Sequence, residues 1–198
     1  MANEVLIEVS ARHIHLSCDV LQKLFGEGYE LEKLKDLSQP GQFAAKEIVK
    51  IEVKDDKGML KSFDSIRVTG PCREYAQVEI SRTDAFFLGL GYDVPLRLSG
   101  NIEGSPGFRV IGPAGEAVLN EGLIVAKRHL HTSPKDAEIL GIDSGDKISV
   151  EIGGERGLVF NNVEVRVNED FKLAVHIDTD EGNAAGIVNE GVGIILEK

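Results

Sequence analysis

The sequence predicts a mainly β protein built as two small β-barrels related by internal duplication, with short capping helices. Three observations carry this. The motif V-x-x-R-H-[IL]-H-x-S occurs twice, as VSARHIHLS at 9–17 and VAKRHLHTS at 125–133, an offset of 116 residues. The frame [QA]-V-x-I-x-x-x-[DE] also occurs twice, as QVEISRTD at 77–84 and AVHIDTDE at 174–181, an offset of 97. The 22 glycines, the 6% aromatic content and the absence of Trp suit many turns between short strands better than a helical bundle. A length of 198 residues accommodates two domains of about 100 residues each. Closing each sheet into a barrel would leave no open edges.

The elements follow in order. Residues 5–9 form an apolar strand leading into the first motif, and Ser17 and Gly26 bracket a helix. The two offsets differ, so the first half carries an insertion between its motifs. The polar segment 30–42, which ends in a Pro-Gly turn signal, is the candidate. Strands are expected at 48–53, 63–68 and 77–80. The run Phe86-Phe87-Leu88 reads as core, with a dimer interface as the other use. Gly100, Gly104 and Gly107 mark turns. Residues 123–126 form the strand before the second motif. Ser133-Pro134-Lys135-Asp136 then opens a helix that Gly141 ends: Ser at the cap, Pro at the first position, Asp in the first turn. Strands follow at 147–152, 158–167 and 173–177, and Asp178, Asp180 and Glu181 read as a helix N-terminus.

Charge narrows the function. Lys plus Arg number 22 and Asp plus Glu 33, a net charge of −11, so the chain is a poor general binder of nucleic acid or anionic membrane. No apolar run approaches the ~18 residues of a spanning helix. Residues 1–8 lack the basic segment, apolar run and cleavage site of a signal peptide. The two cysteines, Cys18 and Cys72, form no CxxC pair and no disulfide framework. A reducing cytoplasm is the expected compartment.

All five histidines fall on the repeated frames. In a strand, residues i and i+2 share a face, so each H-x-H can grip one metal ion. The later frame offers each pair a third ligand. The candidate sets are His13, His15 and Glu79 in the first half, and His129, His131 and His176 in the second. Three protein ligands with an open position are the pattern of a catalytic zinc; a structural site would be closed by four. Cobalt, nickel or iron also suit such ligands.

At these residues the sequence resembles the phosphate propanoyltransferases of propanediol utilisation, from one end of the chain to the other. The motifs are RHIHLS at 12–17, QPGQFAA at 39–45, GPCREYAQVEISRTDA at 70–85, LRLSGNIEGSPG at 96–107, RHLHTSP at 128–134 and HIDTDEGNAAG at 176–186. The resemblance implies a reversible acyl transfer, acyl-CoA plus phosphate giving acyl phosphate plus CoA, with propanoyl- or acetyl-CoA as substrate. It implies two metal ions, usually zinc, in a cleft between the barrels. Their ligands would be the six residues above, with Arg73 of the GP-x-R motif as the catalytic, phosphate-binding group. It also implies a swap. Residues 12–126 would form the first barrel, with the insertion near 30–42. Residues 127–198 would form the second, completed by an N-terminal strand at 2–11. Periodicity alone would cut the chain near residue 115.

Arg73 suits phosphate because its planar fork binds two oxygens at once. Thiolate sulfur suits zinc, so the His13/His15/Glu79 site is assigned to the CoA sulfur and the all-His site to phosphate. Candidate CoA contacts are Lys57 and Arg67 for its phosphates, the backbone of Val9, Ser10 and Ala11 along pantetheine, and Asn183. Cys72 reads as a plain buried thiol. The expected partners are a CoA thioester and inorganic phosphate, without nucleic acid or membrane, and a homodimer is left open. Family members packed into bacterial microcompartments usually carry an amphipathic segment before the first strand. Its absence before His13 favours the cytoplasm, with the microcompartment as the alternative. The competing activity is a zinc-dependent hydrolase acting on thioesters or phosphate esters.

Overall fold

The computed structural model describes residues 3–55 and 57–196. The protein is mainly β and divides into two compact units, residues 12–126 and residues 3–11 together with 127–196. Strand β1 (Glu4–Ser10) opens the chain, with Val5 and Ile7 buried and Glu4 and Leu6 exposed, the period-2 pattern of a half-buried strand. It belongs to the second unit.

The unit of residues 12–126 holds β2 (His13–His15), α1 (Cys18–Phe25), β3 (Lys33–Asp36), β4 (Phe43–Lys54), β5 (Leu60–Gly70), β6 (Gln77–Ile80), α2 (Arg82–Phe87), β7 (Leu96–Arg97), β8 (Phe108–Ile111), β9 (Glu116–Leu119) and β10 (Leu123–Ala126). Nine strands make one sheet in the order β7-β10-β6-β2-β5-β4-β8-β9, with β3 paired to β4. This sheet is a half-barrel whose path ends at β7 and β9, so the expectation of no open edges does not hold for this unit. The 30–42 segment is not featureless: it contributes β3, a fully exposed strand with lysines on the sheet's margin. Ile14, Leu16, Leu24, Ile51, Ile66, Val68, Val78 and Leu123 form the core.

Helix α1 runs between its Ser17 cap, which accepts from the Val20 amide, and Gly26 at φ 109°. Helix α2 corrects the reading of residues 86–88. Ser81 and Asp84 form a reciprocal capping box that starts the helix at Arg82. The helical turn then buries Asp84, Ala85 and Leu88 and leaves Phe86 54% and Phe87 60% exposed. Phe87 stacks on Phe63, and Phe86 meets Tyr92 edge-on.

The second unit adds β11 (His129–Thr132), α3 (Pro134–Leu140), β12 (Lys147–Ile152), β13 (Leu158–Val167), β14 (Ala174–Asp178), α4 (Thr179–Ala185) and β15 (Glu190–Ile195). Six strands close in the order β1-β14-β11-β13-β12-β15. Strand β1 runs parallel to β14 and antiparallel to β15, so it closes the barrel. Its Val5 and Ile7 pack with Leu130, Val150, Val163, Val175 and Ile177. Helix α3 starts at the Ser133 cap with Pro134 in its first turn and stops at Gly141, which takes φ 65°. Asp178 caps α4 through a second capping box, with Glu181. Among the described residues, no helix is long and apolar enough to cross a membrane.

Candidate metal centres and Arg73

In the first unit, β2 lies between β5 and β6, and the antiparallel β2–β6 register sets His13 opposite Glu79. Residues paired across a ladder share a face, so the third ligand is delivered by register alone. The ligand atoms of His13, His15 and Glu79 all lie within 4.8 Å of one another. The Nε2 atoms of His13 and His15 are 3.2 Å apart, and Glu79 Oε1 lies 3.8 and 3.6 Å from them. Nδ1 of His15 faces the Thr69 carbonyl at 3.2 Å. That contact requires a proton on Nδ1 and turns the Nε2 lone pair inward, the orientation a metal ligand needs.

Electrostatics agrees. Burial pushes the His15 imidazole down to about 4, so at neutral pH it is uncharged and able to ligate. Burial alone would raise the Glu79 carboxyl. At the low pH where Glu79 takes its proton, the charges of His13 and of a then-protonated His15, with hydrogen bonds from His15 and Ser99, outweigh it and hold Glu79 well below the usual carboxylate range. A buried anion facing two imidazole nitrogens is a donor set that fits a divalent cation.

The second histidine set is close by its rings, whereas among the described residues only the first set has all its ligand atoms within 4.8 Å of one another. His129 and His131 lie on β11 and His176 on β14, with His129 opposite His176. Ring centroids are 4.6 Å apart for His129 and His131, 4.7 Å for His131 and His176, and 5.3 Å for His129 and His176. Nδ1 of His129 faces the Lys127 carbonyl at 2.8 Å, again leaving Nε2 for a ligand. Three closely packed, largely buried imidazoles also fit a metal better than a cluster of cations.

Each centre is braced in the same way. Arg12, next to His13, donates Nε and Nη2 to Asp84 at 3.0 and 2.6 Å. Arg128, next to His129, donates to Glu181 at 2.5 Å. Asp84 and Glu181 are the capping-box acids of the helices that follow the third-ligand strands. The arginine of R-H-x-H therefore ties the histidine strand to that helix in both units.

Arg73 sits in the first unit. Its amide donates to the Leu16 carbonyl at 2.9 Å, and it forms an isolated bridge with Ser17, just past the histidine strand. Its Nη1 donates to Ser99 Oγ at 2.9 Å. Gln77 Nε2 donates to the same oxygen at 2.9 Å and to Glu79 Oε1 at 2.7 Å. Two hydrogen-bonded side chains thus connect Arg73 to the first centre. Gln77 and Ser99 were missed by sequence reasoning. Gln77, two residues before Glu79 on one strand face, carried a signal; Ser99, in a loop, carried none. The Cys72 thiol is half-buried, and burial with the neighbouring Cys18 thiol pushes it up to about 11, so it is protonated at neutral pH.

The CoA candidates fall in both units. Arg67 is in register with His13, but its Nη1 donates to the Ala45 and Lys46 carbonyls at 2.8 and 3.1 Å. Lys57 is exposed in the β4–β5 turn, beyond the Lys54–Leu60 pair and roughly 20 Å along the strand from Arg67. Val9 gives its amide to the Asn189 carbonyl at 2.8 Å, Ser10 is paired in register with Asp178, and Ala11 follows, exposed. Asn183 is exposed on α4.

A family model for phosphate propanoyltransferase matches residues 6–188. Among curated relatives, the phosphate propanoyltransferase of Thermotoga maritima is 50% identical over 188 residues, covering 94% of this chain and 86% of that one. That of Salmonella typhimurium is 51% identical over 182 residues, covering 91% and 83%. That of Clostridioides difficile is 45% identical over 192 residues, covering 97% and 88%. A match of this extent and identity shows that the chain belongs to the phosphate propanoyltransferase family and is an acyltransferase.

Proposed function

We propose that the protein reversibly converts a short-chain acyl-CoA, propanoyl- or acetyl-CoA, and phosphate into acyl phosphate and CoA, with two zinc ions per chain. The observation that carries this is the convergence of His13, His15 and Glu79, with Arg73 hydrogen-bonded into the same network. His13, His15 and Glu79 would hold one ion, and His129, His131 and His176 the other. Bound zinc would supply a Lewis acid for the thioester oxygen and a partner for the CoA thiolate.

The remaining work falls to the chain. Arg73 presents its fork to phosphate, with Ser99 fixing one edge of the guanidinium. Its link through Ser99 and Gln77 to Glu79 ties that fork to the first centre, which supports a role in bringing phosphate near the thioester. Phosphate attacks the carbonyl directly, the CoA thiolate leaves, and no acyl-enzyme is needed. The protonated Cys72 agrees with that route. Two free cysteines agree with a reducing, cytoplasmic setting.

The test is thiol release from propanoyl- or acetyl-CoA with and without phosphate. Release should require phosphate, stop on chelation and return with zinc. Equal release without phosphate would favour a hydrolase. Metal analysis should find about two zinc per chain, with His129→Ala and His131→Ala each losing one. One ion in the unsubstituted protein would overturn the two-centre reading.

A further inference from the structure

The two centres occupy the same rows of their sheets, but their carboxylates do not occupy the same strand. In the first unit one row runs Ile124 on β10, Glu79 on β6 and His13 on β2. In the second unit the equivalent row runs Glu8 on β1, His176 on β14 and His129 on β11. Where the first unit has an isoleucine beside its glutamate, the second has a glutamate beside its histidine. The carboxylate has moved over by one strand and kept its row. Paired residues share a sheet face, so Glu8 projects with the histidines.

Distance supports more than a shared face. Glu8 Oε2 lies 3.4 Å from Nε2 of His176. In the first centre Glu79 Oε1 lies 3.8 and 3.6 Å from the histidine Nε2 atoms. Two ligands bound about 2.0–2.1 Å from one tetrahedral ion sit about 3.3 Å apart. Glu8 therefore stands at ligand-to-ligand separation from His176. Both residues are largely withdrawn from solvent, with side chains 16% and 18% exposed. Glu8 in the second centre would also equalise the charge of the two sites, each then holding neutral imidazoles, one carboxylate and one divalent ion.

From this row we propose that Glu8 is a fourth protein ligand of the His129/His131/His176 centre, making it a His3Glu site that takes phosphate by expanding to five-coordinate. This rests on the two-metal reading above. Strand β1 then supplies both the closing edge of the barrel and a metal ligand.

The experiment uses the full chain carrying His15→Ala, which silences the first centre, loaded with zinc or cobalt(II). Stoichiometry comes first. One ion should remain in His15→Ala, and His131→Ala should remove it. If His15→Ala holds no ion, the two-centre reading fails, and Glu8 fails with it. If one ion remains, Glu8→Gln is added, which keeps side-chain size. Residues that only orient a ligand usually account for 10–100-fold of metal affinity. Loss of a ligand should exceed about 100-fold in chelator competition and change the intensity of the cobalt d–d bands. Glu8→Asp, which keeps the charge and shortens the reach, should fall between. A loss of 100-fold or less with unaltered cobalt bands overturns the proposal. Circular dichroism checks that Glu8→Gln stays folded; if it does not, Glu8→Asp decides by the same two readouts.

Discussion

Arg73 is placed by its main chain before its side chain is used. The amide bond to Leu16 and the bridge to Ser17 pin the residue beside the histidine strand, and Ser99 then orients the guanidinium. In the phosphate role proposed above, geometry matters as much as charge. Arg73→Lys keeps the charge and loses the fork. Misplacing a reactant by about 1 Å can cost on the order of 100-fold, so the rate should fall by about that much in both directions. Zinc content should stay unchanged, because Arg73 supplies no ligand. The expected signature is a raised Michaelis constant for phosphate, a lowered turnover, or both, with CoA binding kept. Near wild-type rates with acyl-CoA plus phosphate and with acyl phosphate plus CoA would remove Arg73 from the phosphate site.

At the scale of elements, the recurring device is an arginine that spans from the histidine strand to the next capping box. Asp84 is buried, accepts two bonds from Arg12, and reaches back to the amide of the Ser81 cap. Arg12 also lies over the Phe63 ring at 4.5 Å. Asp84→Ala would break the cap and leave Arg12 without its carboxylate. A cap is worth about 1 kcal/mol, and a charge-assisted bond to a buried partner about 1.5–3. Arg12 is partly solvated, which reduces the second figure. The variant should lose about 2 kcal/mol in denaturant unfolding, and Ser81→Ala about half as much. Equal losses from the two would show that the arginine bridge contributes nothing. Much of this level was legible in sequence. Ser17, Ser133 and Asp178 are strong cap signals, and α1, α3 and α4 begin where they indicate. The duplicated motifs placed the histidines on strands, because register needs only alternation. Helix α2 was hidden, since its two exposed phenylalanines imitate a buried run. Strands β7, β8 and β9 were hidden too, being short and bounded by glycine turns whose partners lie far along the chain. Glu8 carried no signal alone, because its meaning depends on β1 pairing with β14.

At the scale of the whole molecule, chain order and spatial order differ. The barrel of residues 127–196 is completed by β1, which the chain makes first and which lies between β14 and β15. Burying Val5 and Ile7 contributes about 3–6 kcal/mol together, before any strand hydrogen bond is counted. Domain stabilities are typically about 5–15 kcal/mol, so a chain lacking β1 should hold an open, largely unfolded second unit. Deletion of residues 1–11 should therefore remove the protection of β11–β15 amides in hydrogen exchange and spare the core of residues 12–126. The antiparallel β1–β15 register supplies a rescue. The amide of Ile195 donates to the Asn3 carbonyl at 2.8 Å, so the end of β15 lies beside the start of β1. A circular permutant that begins at Arg12 and joins the old ends by a short turn would make β15–turn–β1 a local hairpin and keep every strand pair. The new break falls between Ala11 and Arg12, both exposed and outside any strand. The permutant should regain amide protection in β11–β15, a melting temperature close to that of the original chain and, if Glu8 and the histidines make one centre, its second zinc. A deletion that keeps the protected barrel, or a permutant that fails to restore it, would show that β1 is an accessory strand and that the second unit closes without it.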